Sequence, residues 1–372
     1  MSKPALRIGL VGSGFMGRAH AMAFTAAGRT FDLPVEPVLD LIADRSDAVA
    51  AQAAATLGFA RSTGDWRDVV NDRAIDLVAI ATPNLLHAPI ALAAIAAGKP
   101  VYCEKPLATT LAEARSMTEA AEAAKLPTAV GFTYLYNPMI ALAREIVQSG
   151  EIGAVTAFRG IHAEDFMASA EAPYNWRCEP DQAGGALADI GSHIIAMARH
   201  LVGEIAAVSG RLDTVHRERR DAISGAMRAV TIDDQMDALV RFAGGASGTL
   251  SASWIASGRK MGLAFEISGT KGGLSFTQER FNELRLYRAG DKRLGGFTTI
   301  EAGPEHGDYG AFCPAGGHQI GYNDLKTIEV KAALDAALGR PSAAKDFREA
   351  LRVDEVADAI RRSSREGRWM DA

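Results

Sequence analysis

The sequence predicts an α/β protein of two domains, a doubly wound parallel sheet followed by an α+β domain with mostly antiparallel strands. In residues 1–130, apolar runs of strand length alternate with alanine-rich helical segments, which is the pattern of a parallel sheet. In residues 131–372, strand-like segments follow one another without helices between them, which is typical of an antiparallel or mixed sheet. We expect the boundary near residue 130, although the closing helices could pack back on the first domain.

A glycine-rich motif directly after the first predicted strand indicates a dinucleotide site. An apolar run ends at residue 11, the motif GSGFMG occupies residues 12–17, and a helical segment follows. The first glycine of such a motif makes a tight turn, and the second lets the backbone approach a pyrophosphate at the helix N-terminus. The residues expected to line this cofactor site are Gly12, Gly14, Phe15 and Met16.

The residue that closes the second predicted strand indicates which cofactor is bound. Residues 38–43 form that strand and Asp44 ends it. An aspartate at this position accepts both ribose hydroxyls and repels a 2′-phosphate, so NAD is favoured over NADP. Arg45 follows directly and could receive a phosphate, so NADP stays possible. Asp40 is the competing carboxylate, but it lies inside the apolar strand and fits less well.

Polar residues also follow two later strands of the same predicted sheet, and open α/β sheets bind ligands at this edge. One strand covers residues 75–81, and the other covers residues 101–103 and leads into Glu104 and Lys105. Pro106 fixes its own φ and favours an extended Lys105, so the lysine is held on a stiff backbone. The alternatives are a solvated Glu-Lys pair and, at position 87, a histidine that merely begins a helix. The candidate ligands are Thr82, Asn84, His87, Glu104 and Lys105.

The second domain carries a carboxylate and an imidazole within a predicted helix over residues 186–202. Asp189 and His193 are four residues apart and are expected on one helix face. A carboxylate one turn from an imidazole can orient it and stabilise its charged form, which suits a general base. The alternative is an ordinary surface ion pair. His200 continues the same face, but no third residue has ligand spacing, so we expect no metal site.

Composition limits the classes of partner. The formal net charge of −5 argues against nucleic acid or an anionic membrane surface. No apolar run is long enough to span a bilayer, and no charged-then-apolar leader opens the sequence. The three cysteines are widely spaced and lack a CxxC pair, which favours a reducing cytoplasm. We expect a cytoplasmic protein that acts on a small molecule.

The sequence contains GSGFMG at 12–17, ATPNLLH at 81–87, CEKPL at 103–107, WR at 176–177 and GGALADIGSH at 184–193. Together these motifs resemble the glucose–fructose oxidoreductase/inositol dehydrogenase (Gfo/Idh/MocA) family. The long loop before Asp44 and the segments 258–260, 279–280 and 316–326 resemble its levoglucosan and inositol dehydrogenase-like branch. The resemblance implies an N-terminal Rossmann domain and a C-terminal domain with a large open sheet, whose exposed face forms dimers or tetramers. It also implies hydride exchange between a nicotinamide cofactor and a secondary alcohol of a sugar or cyclitol. No arginine cluster lies near the motifs in the sequence, so we expect a neutral monosaccharide, anhydrosugar or cyclitol.

The resemblance also implies roles for individual residues. Lys105 would hydrogen-bond the reacting hydroxyl, His193 would take its proton, and Asp189 would lie beside the substrate or orient His193. Whether Lys105 or His193 is the immediate base stays open. Trp176 and Arg177 are expected near the nicotinamide. The substrate-binding candidates are Lys105, Tyr134, Tyr136, Asp189, His193, His318 and Tyr322.

Two departures from the family pattern weaken any choice of substrate by analogy. Leu135 stands where the family often has an arginine, and Ala196 stands where it often has an aspartate. Two alternatives to a simple dehydrogenase stay open, a glycoside hydrolase that oxidises its substrate transiently with NAD and a non-catalytic NAD-binding regulator. Such regulators typically lose the lysine or the histidine, and this chain retains Lys105, Asp189 and His193, which argues for catalysis.

Overall fold

The computed structural model describes residues 3–180, 182, 184–290, 293 and 295–372, and these form two compact units. The first unit comprises Met1–Tyr136 and Ile320–Leu351, and the second comprises Asn137–Gln319 and Arg352–Ala372. The first contains a six-stranded parallel sheet and the second a nine-stranded, mostly antiparallel sheet. The predicted fold class is therefore confirmed. The second domain is not the continuous stretch 131–372, because residues 320–351 return to the first unit.

The first unit alternates strands and helices as expected of a doubly wound sheet. Its strands are β1 (Ala5–Val11), β2 (Glu36–Ala43), β3 (Arg61–Thr63), β4 (Leu77–Ile80), β5 (Val101–Cys103) and β6 (Thr128–Val130). Its first five helices are α1 (Phe15–Thr30), α2 (Asp47–Leu57), α3 (Trp66–Asn71), α4 (His87–Ala96) and α5 (Leu111–Ala124). The strand order is β3-β2-β1-β4-β5-β6 and every neighbouring pair is parallel, so the carboxyl ends of β1, β2, β4 and β5 share one edge.

The second unit contains a large sheet and two helices, of which the first precedes the sheet in sequence and the second packs on it. The helices are α6 (Pro138–Gln148) and α7 (Ser192–Val202). The strands of the large sheet are β7 (Val155–Ala163), β8 (Ile205–Asp213), β11 (Gln235–Phe242), β12 (Ser247–Ser253), β13 (Gly262–Gly269), β14 (Gly272–Thr277), β15 (Glu283–Arg288), β16 (Thr298–Glu301) and β17 (Met370–Asp371). A separate hairpin pairs β9 (Glu218–Arg220) with β10 (Met227–Ala229). The large sheet has the order β16-β15-β14-β13-β7-β12-β11-β8-β17.

Two long helices close the chain, α8 (Tyr322–Ala337) and α9 (Phe347–Glu366). Helix α8 belongs to the first unit and packs on α1, and the chain passes into the second unit within α9. Among the described residues, no helix combines the length and apolar character needed to cross a membrane.

Close packing brings α7 against β7 in the second unit. A Cβ atom added to Gly160 of β7 would lie 2.6 Å from the Ile194 side chain of α7, so a glycine is required there. Phe158 and His162 flank Gly160 on the same side of the strand and are buried. His162, two residues after Gly160 in β7, therefore lies beside the start of α7.

One predicted segment differs from the structure. The helix predicted over 186–202 is regular only from Ser192, because a π-helical turn occupies Leu187–Gly191.

Candidate active site

The glycine motif forms the turn from β1 into α1, and each glycine has a different environment. Gly12 has a φ of +98°, and a Cβ atom there would lie 2.5 Å from the carbonyl oxygen of Ala81. A Cβ atom on Gly17 would lie 2.1 Å from the carbonyl oxygen of Gly12. A Cβ atom on Gly14 would meet open space within the described residues. Gly12 and Gly17 are therefore required for packing, whereas Gly14 leaves room for a ligand.

Asp44 is anchored beside this loop at the end of β2. Both the backbone N–H and the hydroxyl of Ser13 donate to Asp44 Oδ2, at 2.9 and 2.6 Å, and the Arg45 N–H donates to Oδ1 at 2.7 Å. Burial alone would raise the pKa of Asp44, but these hydrogen bonds outweigh it and hold the pKa below its usual value. Asp44 is therefore a fixed, ionised acceptor. The competing Asp40 is buried and paired with Arg7 and Arg61, at 2.9 and 2.8 Å.

Residues around the loop fit a dinucleotide. The Thr82 hydroxyl is buried without a hydrogen-bond partner among the described residues, and its backbone nitrogen lies 3.1 Å from the position of a Cβ atom on Gly12. Buried hydroxyls are normally satisfied, so this one is consistent with a partner supplied by a ligand. The open space over Gly14, the carboxylate of Asp44 and this hydroxyl together match the needs of a pyrophosphate and a ribose. Asn84 is buried in the 3₁₀ turn that follows.

His87 contacts the segments that follow two neighbouring strands, β4 and β5. Its ring is fully buried, with Nδ1 2.9 Å from the Pro106 carbonyl oxygen and Nε2 3.1 Å from the Thr82 carbonyl oxygen. Burial lowers the pKa of His87, so the ring is neutral near pH 7. The imidazole therefore links the segment after β4 to the segment after β5. We assign His87 a positioning role rather than direct contact with a cofactor.

The Glu104 carboxylate contacts other residues of the first unit. Its side chain is buried, and Oε1 lies 2.8 Å from His20 Nε2 and 2.6 Å from Lys326 Nζ. A Cβ atom on Gly131 would lie 2.6 Å from Glu104 Oε2, so a glycine is required opposite the carboxylate. Although Glu104 was expected to bind the cofactor, these contacts point to a role in fixing the backbone that carries the half-buried Lys105.

Lys326 of α8 is the centre of this buried cluster. Its Nζ atom is also 2.8 Å from Glu329 Oε2, which accepts a hydrogen bond from the Thr133 hydroxyl at 2.8 Å. Burial would lower the pKa of Lys326, but Glu104 and Glu329 outweigh it and raise that pKa, so the lysine is charged. Burial, reinforced by the Lys326 cation, lowers the pKa of His20 to about 4.

The structure brings several predicted cofactor and substrate residues of the first unit together in an aromatic cluster. The ring of Tyr322 stacks on Phe15 at 6.0 Å and lies 6.4 Å from Tyr134, and its hydroxyl donates to the Met16 sulfur at 3.4 Å. Burial raises the pKa of Tyr322 to about 12. Tyr136 is placed differently, because it is buried and its hydroxyl accepts a hydrogen bond from the Lys345 N–H at 3.1 Å. Its side chain therefore has a structural environment.

In the second unit, Asp189 lies in the π-helical turn, and His193 lies in α7. The prediction that both residues belong to one regular α-helix is therefore wrong. The start of this turn is held by Asp233, whose Oδ2 accepts the Leu187 N–H at 2.7 Å. A Cβ atom on Gly185 would lie 2.1 Å from Asp233 Oδ1. Burial raises the pKa of Asp233 to about 6. The glycine pair before the turn thus makes room for a buried carboxylate.

Arg177 pairs with Asp189 directly. The Arg177 Nε atom is 3.0 Å from Asp189 Oδ2, and its guanidinium lies over the rings of Trp176 and Phe166, at 4.5 and 5.5 Å from their centroids. Three predicted site residues, Trp176, Arg177 and Asp189, are therefore brought together. The sequence predicted Arg177 near the cofactor but did not indicate that its guanidinium pairs with the Asp189 carboxylate.

The remaining candidates in the second unit have contrasting environments. His193 is buried, with its ring 5.4 Å from that of His162, a residue that sequence reasoning did not select. His318 is exposed, with Nδ1 3.3 Å from the Ala315 carbonyl oxygen, and its own carbonyl accepts a hydrogen bond from Tyr309. Across the described part of the chain, no group of three or more histidine, cysteine or acidic side chains is arranged to hold a metal ion.

The buried Arg219 was also missed. It belongs to β9, and its guanidinium donates to the carbonyl oxygens of Met167, Ser169 and Ala172, at 2.7, 2.9 and 3.1 Å. The β9–β10 hairpin therefore holds the segment that leads to Trp176. No sequence pattern marked it, because the partners are backbone carbonyls about 50 residues away.

Both parts of the chain match known protein families. Residues 6–132 match the oxidoreductase family with an NAD-binding Rossmann fold, and residues 140–275 match the GFO/IDH/MocA C-terminal domain. Levoglucosan dehydrogenase of Pseudarthrobacter phenanthrenivorans is 39% identical over 381 residues, and the alignment covers 98% of each chain. A solved structure of a levoglucosan dehydrogenase in complex with NADH and levoglucosan has a TM-score of 0.95 and 39% identity, with 99% of each chain covered.

An inositol dehydrogenase is similar over a shorter stretch. Inositol 2-dehydrogenase of Salmonella paratyphi B is 34% identical over 160 residues, which is 42% of this chain and 46% of that protein. The similarity to the inositol enzyme thus spans less than half of either chain.

Proposed function

The chain belongs to the GFO/IDH/MocA family of NAD-dependent oxidoreductases, and from this premise we propose that it oxidises a secondary ring hydroxyl of a neutral anhydrosugar of the levoglucosan type to a ketone. The observation that carries the proposal is the likeness to a levoglucosan dehydrogenase over 98% of both chains. A cyclitol is the second candidate, supported by the shorter match to inositol 2-dehydrogenase.

The charge of the second unit's site supports a neutral substrate. A phosphorylated sugar is usually bound by an arginine whose two-pronged guanidinium is available to the phosphate. Arg177, the arginine beside Asp189, already donates to that carboxylate. A carboxylate held in this way is an acceptor for the hydroxyl groups of an uncharged polyol.

The chemistry divides among three side chains. When bound, NAD accepts the hydride that leaves the substrate carbon. In the proposed reaction Lys105 donates a hydrogen bond to the reacting oxygen and stabilises its alkoxide character. His193 accepts the hydroxyl proton on a ring nitrogen, and Asp189 fixes a neighbouring hydroxyl. The carbon loses a hydride and its hydroxyl loses a proton, so a ketone remains.

Two buried groups hold Lys105 in place for this role. Glu104, the preceding residue, is fixed by His20 and Lys326, and Pro106, the following residue, presents its carbonyl to His87. A lysine between two such anchored residues needs little reorganisation to meet a substrate oxygen.

We further propose that the protein is a homo-oligomer that pairs through the exposed face of its large sheet. Ile161 of β7 and Leu239 of β11 are 42% and 52% exposed. They lie on the same face of the sheet, because Ile161 pairs with Ser251 and Leu239 pairs with Thr249, two residues apart on β12. Exposed aliphatic side chains on one face of the sheet, on strands that flank β12, fit a second copy of the chain. Light scattering in solution tests this, and a monomer would contradict it.

The reaction is tested by following the absorbance of the reduced nicotinamide with levoglucosan, inositols and common aldoses, in the presence of NAD or NADP. We expect the highest kcat/KM with levoglucosan and NAD. Formation of free sugar from a glycoside without net NADH would instead indicate a hydrolase that oxidises its substrate transiently. Tight NAD binding with no turnover on any polyol or glycoside would indicate a non-catalytic regulator.

A further inference from the structure

Two adjacent aspartates, Asp233 and Asp234, lie directly before β11 and are buried. Their side chains contact different parts of the second unit. Asp233 accepts a hydrogen bond from the π-helical turn, and Asp234 accepts one from the indole of Trp254. A buried donor that is left without its acceptor costs free energy, so each contact holds the segment of its donor in place. Two segments that are distant in sequence are therefore fixed by two neighbouring residues.

Asp233 supplies two acceptors to the start of the π-helical turn. The Ala186 N–H donates to the Asp233 carbonyl oxygen at 2.9 Å, and the Leu187 N–H donates to Asp233 Oδ2 at 2.7 Å. The first N–H groups of a helix have no partner within the helix, so Asp233 caps the turn from a segment 46 residues away. Asp189 follows two residues after the capped Leu187 and is carried by the same turn.

Asp234 fixes the aromatic rings against which Arg177 lies. Asp234 Oδ1 accepts the Trp254 Nε1–H at 2.9 Å, and Oδ2 accepts two backbone N–H groups, both at 2.8 Å. The fully buried Trp254 ring contacts the ring of Phe166 edge to face, with centroids 6.0 Å apart. The Arg177 guanidinium lies 5.5 Å from the Phe166 centroid. The contacts thus run from Asp234 through two rings to Arg177.

The two sets of contacts meet at the ion pair of the site. Arg177 Nε lies 3.0 Å from Asp189 Oδ2. We propose that Asp233 and Asp234 are positioning residues that together set the distance between Asp189 and Arg177, and with it the place of the substrate hydroxyl that Asp189 binds. This inference rests on the proposed function, because it is there that Asp189 binds a hydroxyl.

Removal of the Asp233 carboxyl group is expected to affect the sugar and not the cofactor. In Asp233→Ala the Leu187 N–H loses its side-chain acceptor, so the turn relaxes and Asp189 moves away from Arg177. A misplaced carboxylate loses its hydrogen bond to the sugar, so we expect KM for the sugar to rise about tenfold or more. The dissociation constant of NAD should change less than about twofold, because the glycine motif and Asp44 belong to the first unit.

The experiment combines crystal structures of full-length variants with steady-state kinetics on levoglucosan and NAD. Asp233→Asn is the conservative variant, because its side-chain oxygen can still accept from the Leu187 N–H, and KM should stay within about twofold of the wild type. Trp254→Phe removes the indole N–H, keeps an aromatic ring and should raise KM about fivefold. The control is Asp213→Ala, because the Asp213 side chain pairs with the exposed Arg211 and KM should again change less than about twofold.

The crystal structures measure the ion pair itself. In Asp233→Ala and Trp254→Phe we expect the distance from Arg177 Nε to Asp189 Oδ2 to exceed about 4 Å, the limit of an ion pair, whereas Asp233→Asn keeps it short. An unchanged distance in Asp233→Ala, or a KM in Asp233→Asn as high as in Asp233→Ala, would overturn the inference. If Asp233→Ala does not fold, Trp254→Phe decides, and an unchanged distance there would overturn the inference as well.

The crystal structures require no substrate, so they are independent of the proposed function. A silent sugar panel together with a displaced Asp189 in Asp233→Ala would support the positioning role and count against the proposed reaction. Oxidation of the sugar by an Asp233→Ala variant with an unchanged ion pair and an unchanged KM would count against the role of Asp233 and leave the reaction standing.

Discussion

Replacement of Lys326 by methionine is expected to destabilise the first unit strongly. The side chain of Lys326 is 0% exposed and its Nζ atom contacts Glu104 Oε1 at 2.6 Å and Glu329 Oε2 at 2.8 Å. Methionine has a similar length but no charge, so both carboxylates lose their cation. Removal of one partner from a buried ion pair leaves an uncompensated charge and typically costs about 3–5 kcal/mol of unfolding free energy.

The pH dependence of this loss can be worked out from the cluster. In the wild type the pKa of Glu104 is held below its usual value, because Lys326 and His20 outweigh the effect of burial. Its contribution to stability is therefore present above the unfolded-state pKa and is lost as pH falls through the folded-state pKa. In Lys326→Met, burial dominates and the folded-state pKa of Glu104 rises. The folded variant then binds a proton that the unfolded chain has released, so the variant loses stability as pH rises.

Urea unfolding at about pH 5.5 and about pH 8, followed by circular dichroism, measures both effects. Hydrogen exchange of β5 assigns the change to the first unit. The matched control is Lys331→Met on the same helix, since Lys331 lies 4.8 Å from the Phe31 ring and should cost about 1 kcal/mol or less. A Lys326→Met variant as stable as this control, or one more destabilised at the lower pH, would refute the reasoning.

Three further substitutions test the site. Lys105→Met should reduce kcat at least about 100-fold while the NAD dissociation constant, measured by fluorescence titration, changes less than about threefold; wild-type turnover would remove Lys105 from the mechanism. Asp44→Ala should weaken NAD binding by about 10- to 100-fold and reduce the preference for NAD over NADP in the same titration. An unchanged preference would mean that another group recognises the ribose. Arg177→Gln should raise the KM for the sugar about tenfold or more at steady state, because Asp189 loses the cation that orients it; an unchanged KM would contradict that role.

The cofactor half of the site could be predicted because its signals are local. The glycine motif acts through backbone turns that only glycine allows, and Gly12 does have a positive φ beside the Ala81 carbonyl. The carboxylate at the end of β2 was found in the same way, since strand ends follow directly from the apolar pattern. The structure places Asp44 next to Ser13 of the loop, where a ribose acceptor belongs.

The groups that support Lys105 could not be predicted from local pattern. His20 lies 84 residues before Glu104, and Lys326 lies 222 residues after it. Nothing in the sequence near position 104 shows that the carboxylate will be buried and paired. The one local signal was the charged pair Lys326 and Glu329, three residues apart on α8, because buried charges occur mostly in pairs.

The relation between Asp189 and His193 shows a different limit. Spacing of four residues places side chains on one face only in a regular α-helix. The π-helical turn at Leu187–Gly191 changes that geometry, and Arg177 becomes a partner of Asp189. Such turns are rare and frequently occur at functional sites, so the departure coincides with the residues proposed for catalysis.

Transfer of deuterium from ring-deuterated levoglucosan to NAD is the most direct test of the proposed reaction. Mass spectrometry of both products after turnover follows the label. Oxidation of a ring hydroxyl predicts that the reduced nicotinamide carries one deuterium for each ketone formed. Deuterium that stays in the sugar or is lost to water, with no labelled reduced cofactor, would contradict hydride transfer from this substrate.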